Sequence, residues 1–192
     1  MELSNGFSNY STLSENGCQV FCGAHAASAH LLSICAKTAA EQPLRLLDFG
    51  NRCDMYFTAR QLRTLTRDPA AAMKNIRLQR AFTCYQAQSL LRHLDPFETD
   101  MPVFILDMLA PFLDENIKTT EIARLFRDAC DRIRVIQKTR RILIGVKPLP
   151  KRSAPERMFL LKGLAHDFGM VILRDVTVVP ELENSQPPLF TK

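Results

Sequence analysis

What most restricts the fold of this chain is a repeated alternation: short β-type runs separated by longer stretches of helical period. Strands joined through helices cannot be hairpin neighbours; they make βαβ units and a mainly parallel sheet. The strand candidates are Cys18 to Cys22, Leu44 to Phe49, Ile76 to Phe82, Val103 to Asp107, Ile142 to Val146 and Met170 to Val176. Several are continuously apolar, as strands covered on both faces must be. The expected class is therefore α/β, a twisted, mainly parallel sheet flanked by helices.

Three helices stand out between the strands. Ser28 to Ala40 is rich in Ala and Leu, and Gln86 to Leu94 places Ala87, Leu90, Leu91 and Leu94 on one face. The clearest is Glu121 to Lys138. Its stripe is Ile122, Leu125, Phe126, Ala129, Cys130, Ile133 and Ile136, with Thr119 or Thr120 as the expected N-cap and Glu121 in the first turn. Lys147 to Glu156 holds three prolines and reads as an exposed irregular loop. These signals divide the chain into a flexible N-terminal segment over residues 1–17, a core over 18–179, and a flexible tail over 180–192 with Pro180, Pro187 and Pro188.

At 192 residues and 46% hydrophobic, one substantial core can be buried. No apolar run approaches the roughly 20 residues of a membrane span. The polar start, rich in Ser and Asn, lacks a basic patch ahead of an apolar stretch, so no secretory signal is expected. A soluble protein in a reducing intracellular setting, cytoplasmic or nuclear, is expected. The six cysteines fit it: Cys18, Cys22, Cys35, Cys53, Cys84 and Cys130 are scattered rather than set at metal-ligand spacing, and buried thiols are expected without a metal. Cys18 and Cys22 would share one face of a strand.

The formal charge is +5, unevenly distributed. Between Arg124 and Arg157 stand eleven basic residues against three acidic ones, so that this segment carries +8. Arg124, Arg127, Arg134 and Lys138 lie on the helix, and Arg140, Arg141, Lys147, Lys151, Arg152 and Arg157 come after it. Such a concentration is what a polyanion-binding surface needs, because phosphate contacts supply most sequence-independent affinity. The alternative is an ordinary solvated helix face.

In a parallel sheet the ligand site lies beyond the carboxyl ends of the strands. There, Val20-Phe21-Cys22-Gly23-Ala24-His25-Ala26-Ala27-Ser28-Ala29-His30 resembles a phosphate-binding loop in register, and Val103-Phe104-Ile105-Leu106-Asp107 resembles its acidic partner strand. With Leu46 to Asp54 and Ile76 to Thr83 as second and third strands, the order is similar to the RecA and RadA recombinase family over roughly Gln19 to Val146. The resemblance implies a RecA-like P-loop NTPase fold, with Gly23, Ser28, His30 and Asp107 at a vestigial nucleotide site. A working loop reads G-x-x-x-x-G-K-[ST]; here Ser28, Ala29 and His30 replace its Gly, Lys and Ser/Thr. Asp48-Phe49-Gly50 stands where the family carries a water-activating Glu.

Measured against the family pattern, these departures imply a pseudo-ATPase without catalytic residues, with neither ATP nor Mg²⁺ expected. Asp107 would cap the turn after its strand or retain a metal; His25 and His30 would be polar loop residues; Arg52 and Asp54 could pair locally or meet a neighbouring subunit. The resemblance implies DNA-contacting loops at Met108 to Lys118, which is acidic and apolar here, and at Lys147 to Arg157, which is basic. The expected function is a non-catalytic accessory role in DNA recombination or repair. The expected partners are DNA and a RecA-family paralogue or other repair protein, in a homo- or hetero-oligomer, with no membrane contact. Two other readings remain open: an ATP-dependent recombination ATPase in which another basic residue replaces the lost Lys, and a regulatory protein-binding module without nucleic-acid contact.

Overall fold

In a computed structural model of the chain, residues 16–94, 101–149 and 155–173 are described. Six strands form one sheet: β1 (Gly17–Cys22), β2 (Leu44–Asp48), β3 (Ile76–Arg80), β4 (Val103–Leu106), β5 (Arg141–Val146) and β6 (Met170–Ile172). Their order is β3-β2-β4-β5-β1-β6 and every described pairing is parallel. Each strand begins within a residue of its expected start. β3 ends two residues early because Thr83 is needed to cap the next helix, and Phe82 points out of the core at 71% exposure. The end of the last strand candidate, residues 174–176, lies outside the described residues, as do 1–15 and 180–192; Gly17 is already in β1.

α1 (Ser28–Glu41), α2 (Met55–Leu65) and α3 (Pro69–Lys74) cover one face of the sheet, and α4 (Cys84–Arg92), α5 (Thr119–Ile136) and α6 (Met158–Phe168) the other. Alternate residues of the four central strands enter the two cores, while β3 sends Ile76 and Leu78 into one of them. Phe104 and Leu106 of β4 pack with Leu31, Leu32 and Leu62, while Val103 and Ile105 pack with Leu91, Leu125 and Ile133. This double burial is why β4 reads as an unbroken apolar run.

All seven residues of the α5 stripe are buried. Its N-cap, however, is Lys118, with φ −57° and ψ 138°, and no side chain caps the helix. Thr119 and Thr120 are already inside the first turn. α2, α3 and α6 add to the three helices legible in the sequence. Among the described residues no helix is long and apolar enough to cross a membrane.

Candidate functional site at the carboxyl edge of the sheet

The carboxyl ends of β1, β5, β4 and β2 lie side by side, as their register requires. After β1, Gly23 is extended (φ −169°, ψ 178°), and its N–H donates to the Val146 carbonyl at 3.1 Å. The next residues make an unusual turn: His25, Ala26 and Ala27 are all left-handed, with φ of 48°, 60° and 54°. For residues with a Cβ this costs roughly 1–2 kcal/mol each. Burial of Ala26 and Ala27 and the Ala26 N–H bond to the Gly23 carbonyl, 3.1 Å, hold the turn down. It presses on β5 where that strand has no side chain: a Cβ on Gly145 would lie 2.3 Å from the Ala26 carbonyl oxygen.

Ser28 then opens α1, followed by Ala29, which is exposed and uncharged. His30 faces the sheet, its ring centroid 5.1 Å from that of Phe21 at 55°. Burial, and the nearby Lys37 charge, hold its pKa below the ordinary value. His25 sits exposed on the turn. Ala29 and His30 stand at the positions where a G-x-x-x-x-G-K-[ST] loop carries its lysine and hydroxyl.

Asp107 does not cap the turn after β4, contrary to one expectation. It adopts φ 53°, is only 2% exposed, and directs Oδ2 at two cations: Arg52 Nε at 3.2 Å and Lys147 Nζ at 3.3 Å. Arg52 comes from the loop after β2, which approaches so closely that a Cβ on Gly50 would be 2.4 Å from the Asp107 Cβ. A buried carboxylate without partners would be costly, and here the partners are the protein's own. Arg52 therefore pairs with Asp107 and not with Asp54. Asp54 accepts from the Phe57 N–H at 2.9 Å and caps α2.

The capping role falls to Asp48 at the end of β2. Its carboxylate accepts from the N–H groups of Arg52 (2.8 Å) and Cys53 (3.2 Å) and from Arg80 Nε (3.2 Å). Phe49, where a catalytic Glu would be sought, is buried. Neither the Arg80–Asp48 pair nor the convergence on Asp107 is visible in sequence spacing: Asp107 is 55 positions from Arg52. The Asp-x-Gly step after an apolar strand is the available signal.

The basic segment does not form one surface. Arg124 is held between Glu121 and Asp128, and Arg134 bonds Asp131 and Asp167. Arg132 donates to the carbonyls of Leu91, Arg92 and Leu94 at the end of α4. Arg140 and Arg157 are buried; the Arg157 guanidinium donates to the carbonyls of Asp114 (3.3 Å) and Ile117 (2.9 Å). Arg127 and Lys138 remain exposed. Arg141 opens β5 at the amino edge, on a cavity of about 660 Å³ that Lys37, Glu41 and Phe104 also line, whereas Lys147 lies past the opposite end of the same strand. Six residues of strand separate them by roughly 20 Å. Lys151 and Arg152 lie outside the described residues.

The six cysteines are free thiols. Burial pushes Cys35 and Cys130 up to about 12 and keeps them protonated. Among the described residues no group of three or more His, Cys, Asp or Glu side chains could hold a metal ion. No family model matches the chain, and no curated protein sequence matches it.

Proposed function

We propose that this chain is a non-catalytic accessory protein of DNA recombination or repair, built on a RecA-like scaffold, that acts by binding DNA or a recombinase partner. The observation that carries the non-catalytic half is the occupancy of Asp107 by Arg52 and Lys147. A magnesium ion serving ATP would have to displace both cations from a carboxylate that is 2% exposed, and Ala29 offers no charge to the phosphates in return. The strand order supports the scaffold. β5 lies between β1 and β4, so that the Gly23 turn and Asp107 flank it at the sheet edge where parallel sheets take their ligands.

The melting temperature measured with ATP, ADP and Mg²⁺ tests this. A ligand at 100 times its Kd stabilises by roughly 2.7 kcal/mol, and no shift is expected. A saturable, Mg²⁺-dependent shift, or hydrolysis abolished by Asp107→Ala, would overturn it.

One observation favours the ATP-dependent reading: Lys147, not Lys37, stands beside the Gly23 turn, because Gly23 bonds the residue preceding it. Lys37 lines the cavity at the opposite edge. Under that reading Lys147→Ala would abolish hydrolysis.

A further inference from the structure

Besides the exposed Arg127 and Lys138, the described molecule carries unneutralised positive charge on a flank that net charge along the sequence does not single out. Between Asn51 and Phe82 there are seven basic residues and two acidic ones. Two of the basic residues, Arg52 and Arg80, are engaged by Asp107 and Asp48. The other five, Arg60, Arg63, Arg67, Lys74 and Arg77, are exposed and form no ion pair among the described residues. Both acidic residues are turned into helix N-termini: Asp54 accepts from Phe57 N–H and Asp68 from Ala71 N–H. This contrasts with α5, where Arg124, Arg132 and Arg134 bond neighbouring carboxylates and carbonyls.

The five cations lie along one margin of the fold, although Arg77 alternates with Ile76 and Leu78 and so stands on the opposite face of β3 from α2 and α3. β3 is the edge strand, α3 packs against it, and α2 packs against α3. On α2, Tyr56, Arg60 and Arg63 recur at i, i+4 and i+7 and so form one stripe, opposite the buried Thr58 and Leu62. The stripe starts near the carboxyl edge of the sheet and spans about 10 Å toward the amino edge; Arg67 and Lys74 follow on the loop and the helix that lead to β3. At the upper end stand two aromatic rings with little protein around them: Tyr56 is 89% exposed and Phe82, just past β3, is 71% exposed.

Exposed rings at one end of an unpaired basic track are the two components of a single-stranded nucleic-acid site. Bases stack on the rings and backbone phosphates track the cations. A duplex would use the cations but could not offer its stacked bases to Tyr56 and Phe82. We infer that the α2–α3–β3 flank binds single-stranded nucleic acid, with bases on Tyr56 and Phe82 and phosphates on Arg60, Arg63 and the cations below them. The inference rests on the proposal that the chain binds nucleic acid, but not on the state of the Asp107 site.

Fluorescence anisotropy with labelled oligo-dT, over a salt series and beside a duplex of equal length, tests it on the full chain. Circular dichroism verifies that each variant is folded. Arg60→Ala with Arg63→Ala should weaken oligo-dT binding at least tenfold and flatten the slope of log K against log salt by about 1.4, since each lost phosphate contact removes about 0.7. Tyr56→Ala with Phe82→Ala should cost roughly fivefold or more on oligo-dT and leave duplex binding unchanged. If Arg127→Ala with Lys138→Ala causes the loss and the α2 pair does not, this flank is wrong while nucleic-acid binding stands. Aromatic variants that bind oligo-dT as the parent does overturn the single-strand assignment. A parent chain that binds neither probe at low micromolar concentration overturns both proposals.

Discussion

Asp107 illustrates how packing, and not linear sequence, decides what a carboxylate at a strand end will pair with. Its left-handed backbone and near-complete burial leave the carboxylate little choice of partners, and the loop carrying Gly50 and Arg52 closes over it. His30, in the adjoining helix, makes a separate prediction. It packs on Phe21, and burial together with the Lys37 charge lowers its pKa from the ordinary 6.5. The folded state thus keeps His30 neutral at pH values where the unfolded chain already binds a proton. Its contribution to stability is complete above 6.5 and declines as pH falls through 6.5 toward the lower folded value. Urea midpoints taken above and below 6.5 should therefore drop on the acid side, and His30→Met should reduce that drop. An unchanged drop in the variant would assign it to other groups. In the sequence, Asp107 and His30 both stand out by their place in a pattern, but their partners do not. Lys147 reads there as one more surface cation, because linear charge carries no information about a carboxylate at the end of a neighbouring strand.

The elements differ in how openly they announce themselves. α5 is legible because its seven buried residues keep the 3.6-residue period without interruption. α2 is obscured because only Thr58 and Leu62 are fully buried, and α3 because it has six residues, although Asp68 before Pro69 is a sound start signal. The basic face of α5 misleads for a related reason. A helix between two others uses its arginines to bond them, Arg132 to the end of α4 and Arg134 to Asp167 of α6. α4 shows what a strong local signal does. Thr83 accepts from the Gln86 N–H at 3.2 Å, and Gln86 Oε1 accepts from the N–H groups of Phe82 (2.8 Å) and Thr83 (3.3 Å). This reciprocal box ends β3 and starts α4 within four residues. Thr83→Ala should cost about 1 kcal/mol in equilibrium unfolding, with the denaturant slope unchanged. A loss below a few tenths would mean that Gln86 alone holds the turn.

At the scale of the molecule, the sequence yields the strands and their parallel character but not their order. Order depends on where each crossover lands, and β5 comes to lie between β1 and β4 through packing across the whole sheet. That order also grades stability. β4 is buried throughout and hydrogen-bonded on both sides, and β5 likewise lies between two strands with five of its six residues buried. The two edges are thinner. β3 alternates half-buried and exposed residues, and β6 has three residues, of which Val171 and Ile172 are exposed. Local opening tracks contact density and the exposure of backbone bonds, so the sheet should open from its margins. In hydrogen exchange monitored by mass spectrometry, peptides covering β4 and β5 should exchange last, and those covering β3 and β6 first. The direction matters for the nucleic-acid flank, because β3 supplies Arg77 and leads into Phe82. Oligo-dT bound there should slow exchange in β3 and α2 while leaving β6 as it was. Protection of β6 in place of β3 would put the ligand on the other margin.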